Sequence, residues 1–252
     1  MSREFLRSIR DFELSLALDE LERLGASGGK VLEVGAGSGW QAKRLAEAGY
    51  AVRAIDIPNS NYAVDQVWPV VTYDGRRIPF ATESFDAIFS SNVLEHVADL
   101  NNLNKEMWRV LKPDGVAVHF VPSGTWRFWT NLTHYPAKLR ALVAGSFAIQ
   151  PKAVRSGNAQ VRQSARKTLG AAMFPRRHGE AGNALSEILL FRRSAWWNRL
   201  GSDGWRCFRC STNRLVYSGN LLFGPFLSIE TRSWLSSYLG SSCHLFVLRK
   251  TT

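Results

Sequence analysis

Apolar and charged positions alternate along the first part of the chain in a way that predicts helices and short buried strands in turn. Between residues 1 and 24, apolar side chains recur at three- to five-residue steps among charged ones, which predicts an amphipathic helix. The recurring residues are Phe5, Ile9, Phe12, Leu16 and Leu21. A strand is predicted over Lys30–Val34, a helix over Trp40–Ala48 and a strand over Tyr50–Ile55. A strand, a glycine loop, a helix and a strand within about thirty residues require a parallel crossover, which indicates an α/β sheet.

The same alternation continues to the end of the chain. Further strands are predicted over Val67–Thr72, Phe85–Ser90, Val116–Val121, Arg206–Ser211 and Cys243–Arg249. Helices are predicted over Val93–Leu111 and from Ser186, as N-cap, to about Leu200; Pro113–Gly115 is predicted as a turn, and Leu221–Phe226 followed by Ile229–Leu239 as a hairpin or short helix. The predicted fold is therefore a doubly wound, Rossmann-like and mostly parallel seven-stranded sheet with helices on both faces.

Composition narrows the class of protein. The chain has 252 residues, of which 45% are hydrophobic and 21% charged, which excludes a disordered chain and allows one domain over residues 1–252. No apolar run approaches the roughly 20 residues of a membrane span, and residues 1–4 show no signal-peptide pattern. Three cysteines are too few for a disulfide framework. A cytoplasmic protein is expected.

The positive charge is concentrated in the second half of the chain. Residues 1–123 carry 13 basic and 17 acidic side chains, whereas residues 124–252 carry 19 and 4. Within 124–183, ten basic residues face the single acid Glu180. This segment is predicted to be a basic, aromatic cap inserted after the fifth strand, which favours an anionic partner. A solvated segment whose charges only aid solubility is the alternative.

A glycine loop lies between the first strand and the following helix. Gly35-Ala36-Gly37-Ser38-Gly39 allows a ligand to approach the backbone and the helix N-terminus. Asp56 ends the second strand, where a carboxylate can accept the hydroxyls of a ribose. A tight turn without a ligand and a dinucleotide site are the alternatives, although the third glycine comes one position early for the dinucleotide pattern.

At this point the motifs resemble those of the class I S-adenosylmethionine-dependent methyltransferases, in the group that acts mainly on small molecules. The segments that carry the resemblance are 31–39, Asp56, 74–80, 85–86 with 91–97, and 108–115. They occur in the expected order across residues 28–122, while the 124–183 segment has no counterpart. The resemblance implies S-adenosylmethionine as the cofactor and leaves the acceptor undetermined.

Individual cofactor contacts follow from the resemblance. It implies that Glu33 and the backbone of Gly35, Ala36 and Gly37 hold the methionine part, and that Asp56 holds the ribose. It further places Ile57 on the adenine, Asp74 and the Gly75 amide at its exocyclic amine, and Ser91 and Asn92 within the cofactor site. Two simpler roles stay open: Asp74 as the start of a turn, and Glu33 as a partner of a helix dipole.

His96 is the candidate catalytic residue, because it follows the fourth strand at the sheet edge where ligands bind and an imidazole can act as a base near neutral pH. A packing or cofactor-side histidine is the alternative. His134, His178 and Glu180 could reach the same place from the cap. Cys207 and Cys210 lie three apart on a predicted strand and should point to opposite faces, so no metal site is expected.

Trp40, directly after the glycine loop, is bulkier than the resemblance leads one to expect. It either narrows the acceptor entrance or belongs to the core.

The sequence thus predicts a methyltransferase whose acceptor is small or carrier-linked and anionic, such as a sugar or a lipid-linked glycan intermediate. Peripheral contact with an anionic membrane surface is compatible with the basic and aromatic C-terminal part. The alternative is an RNA methyltransferase that binds phosphates through residues 124–183. The oligomeric state stays open.

Overall fold

The computed structural model describes residues 3–58, 66–146, 175–202, 204–217 and 226–251. The helices in these ranges are α1 (Arg3–Arg23), α2 (Trp40–Glu47), α3 (Leu100–Val110), α4 (Gly124–Ser146), α5 (Ser186–Leu190), α6 (Arg193–Leu200) and α7 (Ile229–Leu239). The strands are β1 (Lys30–Val34), β2 (Ala51–Asp56), β3 (Val70–Thr72), β4 (Phe85–Ser91), β5 (Leu111–Pro122), β6 (Trp205–Thr212) and β7 (Cys243–Lys250).

The seven strands form one sheet in the order β3-β2-β1-β4-β5-β7-β6. The pairs from β3 to β5 are parallel, whereas β7 lies antiparallel between β5 and β6. The order reverses at β1, so the loops after β1 and β4 leave the sheet side by side at its carboxyl edge. The predicted seven-stranded, mostly parallel sheet is confirmed.

Each face of the sheet packs against its own set of helices. Val31, Phe89 and Val118 share one core with Ile9 of α1 and Leu45 of α2. The alternate residues of the same strands point to the other face. These are Leu32, Ile88 and Ala117, which pack with Met107 of α3 and Trp196 of α6. Successive strand residues point to opposite faces, and both faces are buried, so the strands appear as continuous apolar runs in the sequence.

Two predicted helices are interrupted in the structure. The stretch predicted over Val93–Leu111 is a single 3-10 turn, Leu94–His96, followed by α3. The side chain of Asp99 accepts a hydrogen bond from the Asn102 amide, which starts α3 separately. The helix predicted from Ser186 to Leu200 is split into α5 and α6. Ser186 is the first residue of α5 and not its N-cap, and in the turn before it Asn183 Oδ1 accepts from the amides of Leu185 and Ser186.

Smaller differences concern the strands. β3 covers only the last part of the predicted Val67–Thr72. Pro113–Gly115, predicted as a turn, lies within β5 at a shift of register, where Phe85 pairs with Leu111 and Ala87 pairs with Val116. Of the hairpin and the short helix that the sequence left open for the region before β7, the structure shows a helix over Ile229–Leu239, which is α7, whereas 221–225 lie outside the described residues.

A bulge in β6 overturns the prediction that Cys207 and Cys210 face opposite ways. Cys207 pairs with Leu248, but Arg209 pairs with the next residue, Val247, so Phe208 is an extra residue and the alternation restarts. Both cysteines consequently pack on the same core as Leu248. Burial raises the pKa of the Cys207 thiol to about 11.

The basic segment begins as α4, directly after β5. The Ser123 hydroxyl accepts a hydrogen bond from the Trp126 amide and so starts the helix. Arg127, 3% exposed, forms a 2.8 Å ion pair with the buried Glu187 of α5. Arg177 pairs with Glu180 at 3.7 Å in solvent. Two of the ten cations thus have acidic partners within the protein, while seven of them lie outside the part whose side chains are described.

Among the described residues, no helix combines the length and the apolar character that crossing a bilayer requires.

Replacing Glu187 by Gln should destabilise the protein strongly, because Arg127 would keep its charge in a buried place without a carboxylate. We expect the free energy of unfolding to fall by about 3 kcal/mol, measured by urea denaturation. Glu47→Gln is the matched control, since the Arg44–Glu47 pair is nearly half exposed and should contribute less than about 0.5 kcal/mol. Equal losses in the two variants would contradict the structural role of the Arg127–Glu187 pair.

Candidate functional site

The glycine loop connects β1 to α2 in a backbone conformation that only glycine adopts easily. Gly35, Gly37 and Gly39 have φ values of 75°, 56° and 76°. A Cβ on Gly35 would lie 2.4 Å from a Val93 methyl, and one on Gly39 would lie 2.6 Å from Trp68 Cβ. The first glycine therefore lets the loop after β4 approach the loop after β1.

Asp56 ties this loop to the end of β2. Its Oδ2 accepts a hydrogen bond from the Gly37 amide at 2.6 Å, and its Oδ1 accepts from the Ile57 amide at 2.7 Å. The amides of Gly35 and Ala36 both donate to the Ile55 carbonyl. The carboxylate and the glycine loop thus form one unit, in which each carboxylate oxygen keeps a lone pair for a further donor.

Glu33 lies beneath the same loop with unusual electrostatics. Its side chain is 2% exposed, and its Oε2 has no hydrogen-bond partner among the described residues. Burial raises the pKa of Glu33 to about 8, the charge of Asp56 adds to the rise, and a backbone hydrogen bond from Ala42 opposes it. A buried, unsatisfied carboxyl oxygen at this place favours a ligand that carries a donor.

Ile57, Asp74 and Gly75 lie beside the end of β2. Ile57 is 48% exposed, and a Cβ on Gly75 would lie 3.5 Å from its Cγ2 atom, so the two residues share one surface. Asp74 Oδ1 accepts hydrogen bonds from the amides of Arg76 and Arg77, which lowers the pKa of Asp74. The structure therefore gives Asp74 the turn-forming role that the sequence left open, with Oδ2 outside these two bonds.

Ser91 ends β4 at the same edge, and Asn92 directly follows the strand. Asn92 adopts a left-handed φ of 55°, its amide donates to the Phe120 carbonyl, and its Oδ1 accepts from the Cys243 thiol at 3.2 Å. Ser91 lies 3.5 Å from Glu13 Oε2. The two residues are thus held by α1 and β7 as well as by their own strand.

A buried polar network around Glu13 supports this edge, and the sequence analysis missed it. Glu13 is fully buried and accepts hydrogen bonds from Arg10, Asn213 and the Tyr217 hydroxyl. The signal was present in the sequence. Ile9, Glu13, Ala17 and Leu21 recur at four-residue steps, and all four are buried, so Glu13 lies on the inward face of α1.

Trp40 joins α2 to α1. Its indole Nε1 donates to Asp11 Oδ1 at 2.8 Å, and the Arg7 guanidinium lies 4.4 Å from the ring centroid. The unusual residue after the glycine loop is therefore a contact between two helices.

His96 and His178 come together over the loop after β4. Their ring centroids lie 4.7 Å apart, and ring nitrogens of both lie within 4 Å of Glu95 Oε1. His178 thus reaches the place of His96 from the basic segment. The Glu180 amide also docks here, on the Glu95 carbonyl, but its carboxylate pairs with Arg177. His134 packs against Tyr135 within α4 and is not part of this cluster of described residues.

The pKa of Glu33 leads to a prediction about stability and pH. In the folded state, the pKa of Glu33 is raised from 4.5 to about 8. The free energy of unfolding of the wild type is therefore highest below pH 4.5, where Glu33 is protonated in both states, and it falls as pH rises through 8. Glu33→Gln removes this loss, so the variant should gain a few kcal/mol over the wild type between pH 5 and pH 9. Denaturant unfolding at both pH values measures it. If the free energies of unfolding of the wild type and Glu33→Gln changed with pH in parallel, the predicted effect of Glu33 on stability would be wrong.

Comparisons with known proteins agree with this geometry. Residues 32–119 match a family model described as a methyltransferase domain. An uncharacterized methyltransferase of Mycobacterium avium is 38% identical over 113 residues, 40% of this chain and 44% of that protein. A ubiquinone biosynthesis O-methyltransferase of Pseudomonas fluorescens is 33% identical over 103 residues, 37% of this chain and 44% of that protein. The chain spans about half the length of the curated relatives it matches.

Solved structures match the whole fold at low identity. A protein from Pyrococcus horikoshii has a TM-score of 0.53 at 16% identity, with 99% of this chain and 92% of that chain covered. A structure described with the conversion of a disulfide into a thioacetal during echinomycin biosynthesis has a TM-score of 0.53 at 18% identity, with 93% and 81% covered. Residues 32–119 are thus similar to a methyltransferase domain, and the chain shares the overall fold of these solved structures.

Proposed function

We propose that the protein transfers the methyl group of S-adenosylmethionine to a hydroxyl oxygen of a small or carrier-linked anionic acceptor. The main support for methyl transfer is the hydrogen bond that connects the Gly35–Gly39 loop to the Asp56 carboxylate at the carboxyl edge of the sheet. The unsatisfied Oε2 of Glu33 beside them supports the same cofactor, because it suits an ammonium donor.

The described residues fit the parts of this cofactor. Asp56 has acceptor capacity for the ribose hydroxyls, and Ile57 with Gly75 offers an apolar surface for the adenine. Glu33 and the amides of the glycine loop suit the methionine part. When bound, S-adenosylmethionine supplies an electrophilic methyl group on a sulfonium.

The remaining work for the protein is to hold the acceptor in line and to exclude water. The loop after β4 is placed for this work, since Val93 contacts the glycine loop and His96 follows three residues later. His96 has a side chain that is 42% exposed, so an acceptor hydroxyl can reach its ring. The imidazole can accept the hydroxyl proton or hold the acceptor oxygen in place by a hydrogen bond.

Three observations support an anionic, carrier-linked oxygen acceptor. The second half of the chain carries 19 basic and 4 acidic residues. One relative is named for O-methylation in ubiquinone biosynthesis. Trp234 and Tyr238 of α7, together with Phe226, are more than 60% exposed, which suits contact with the lipid of a carrier or with a membrane surface.

Asp56→Ala should weaken binding of S-adenosylhomocysteine by about 1–3 kcal/mol, because the ribose hydroxyls would lose their acceptor. Isothermal titration calorimetry measures the loss, and Glu47→Gln, on the exposed part of α2, is the control expected to bind as the wild type does. An unchanged affinity in folded Asp56→Ala would place the ribose elsewhere. Binding of NAD in place of S-adenosylhomocysteine would contradict the proposed function.

Acceptor class can be tested with methyl-labelled S-adenosylmethionine and three preparations: small anionic metabolites, a lipid extract containing glycan carriers, and total RNA. We expect label in one of the first two. The double variant Arg176→Glu/Arg177→Glu should reduce that transfer and leave S-adenosylhomocysteine affinity unchanged, since neither side chain contacts the glycine loop in the described contacts. Label in RNA that falls steeply with added salt would contradict this acceptor class.

A further inference from the structure

Glu95 carries a buried carboxylate that the described part of the chain leaves without hydrogen bonds. It is 4% exposed, and neither Oε1 nor Oε2 has a hydrogen-bond partner among the described residues. A carboxylate in this state is costly, because burial removes its water without supplying donors. Nothing in the proposed cofactor site uses it. The position therefore calls for a positively charged partner.

Two imidazoles face this carboxylate. Nε2 of His178 lies 3.6 Å and Nε2 of His96 lies 3.8 Å from Glu95 Oε1. Both distances are longer than a hydrogen bond. One ligand atom from each of the three residues lies within 4.8 Å of the others. The three groups therefore surround a common point without bonding one another.

This arrangement is built by close backbone packing. The Glu180 amide donates to the Glu95 carbonyl, and a Cβ on Gly179 would lie 2.7 Å from that oxygen, so only glycine fits there. Glu187 Oε1 accepts from the amides of His178 and Gly179. The segment that carries His178 is thus fixed on the loop that carries Glu95.

We propose that Glu95, His96 and His178 bind a divalent transition-metal cation of the Zn²⁺, Co²⁺ or Mn²⁺ type. Ligands about 2.1 Å from an ion are about 3.0–3.5 Å apart at octahedral or tetrahedral angles, so small side-chain rotations close the observed spacing. One carboxylate and two imidazoles favour these metals over Mg²⁺, which prefers oxygen ligands.

The two neighbouring arginines, Arg199 and Arg177, make their hydrogen bonds and ion pair with groups other than the Glu95 carboxylate. Burial lowers the pKa of Arg199, and the negative charge of Glu95 partly opposes this lowering. Its guanidinium nevertheless donates to the carbonyls of Ala195 and Leu190 and lies over the Trp196 ring. Arg177 is occupied with Glu180. In the described contacts, neither arginine provides Glu95 with a hydrogen bond.

The cation would also have a place in the reaction, an extension that rests on the proposed function. The side chains of His96 and His178 are 42% and 34% exposed, so coordination positions stay open on the solvent side. An acceptor hydroxyl that ligates the cation there would lose its proton to solvent water more easily. The resulting oxyanion would attack the methyl carbon, so that a C–O bond forms as the C–S bond of the sulfonium breaks and S-adenosylhomocysteine leaves. His96 would then be a metal ligand and not the general base.

Metal binding can be measured without any acceptor. The full chain is treated with a chelator, dialysed and titrated calorimetrically with Zn²⁺, Co²⁺, Mn²⁺ and Mg²⁺. We expect one Zn²⁺ per chain, bound at least about tenfold more tightly than Mg²⁺, and visible Co²⁺ absorption from nitrogen ligands. Failure to bind Zn²⁺, or equal binding of Zn²⁺ and Mg²⁺, would overturn the proposal.

Variants locate the site. Glu95→Gln and His178→Ala should each weaken Zn²⁺ binding by at least about tenfold and remove the thermal stabilisation that Zn²⁺ gives the wild type. Glu180→Gln is the matched control, since its carboxylate lies in the same segment but pairs with Arg177. His178 is partly exposed, so His178→Ala keeps the test valid if Glu95→Gln does not fold. Zn²⁺ affinity unchanged in folded His178→Ala would overturn the site.

Titration with S-adenosylhomocysteine separates the two proposals. If S-adenosylhomocysteine binds and Zn²⁺ does not, the metal site is wrong and the proposed function is untouched. If Zn²⁺ binds at Glu95 and S-adenosylhomocysteine does not, the reverse holds. Methyl transfer that is unaffected by chelation, in a chain whose Zn²⁺ site is demonstrated, would overturn the catalytic role of the cation.

Discussion

The hydrogen bond from the Gly37 amide to the Asp56 carboxylate is the interaction on which the site depends. It joins the loop after β1 to the end of β2, which are neighbouring parallel strands. Parallel strands can only present their carboxyl ends at one edge, and the reversal of strand order beside β1 opens a crevice there. The left-handed glycines let the loop fold back to the carboxylate, and Gly35 leaves space for Val93 of the next loop.

Three buried glutamates lie near this edge, and they differ in how far their carboxylate oxygens are hydrogen-bonded. Glu13 is satisfied by hydrogen bonds from Arg10, Asn213 and Tyr217 and fixes α1 to the sheet. Glu33 has one oxygen, Oε2, without a partner in the described ranges, and burial raises its pKa to about 8. Glu95 receives no hydrogen bond at either oxygen from the residues that the structure describes, and it faces two imidazoles. Full satisfaction suits a structural role, whereas unmet hydrogen-bonding capacity is typical of places that hold a ligand.

The ion pair between Arg127 and Glu187 connects the basic segment with this edge. Glu187 uses one oxygen for Arg127 and the other for the backbone amides of His178 and Gly179. One cation that suggested an anionic partner is therefore a structural residue that positions His178. Net charge reports on a whole segment, and only packing shows which of its charges are available to a partner.

The alternation of apolar residues, the glycine loop and Asp56 were sufficient to predict the sheet and its parallel core, and they point to the edge that carries the candidate site. These features are local, because strand and helix periodicity and the need for φ above zero act over a few residues. The bulge at Phe208, the split of Val93–Leu111 and the meeting of Glu95 with His178 required the tertiary structure. Register shifts and contacts between distant segments depend on how neighbouring elements pack, which no single stretch of sequence encodes.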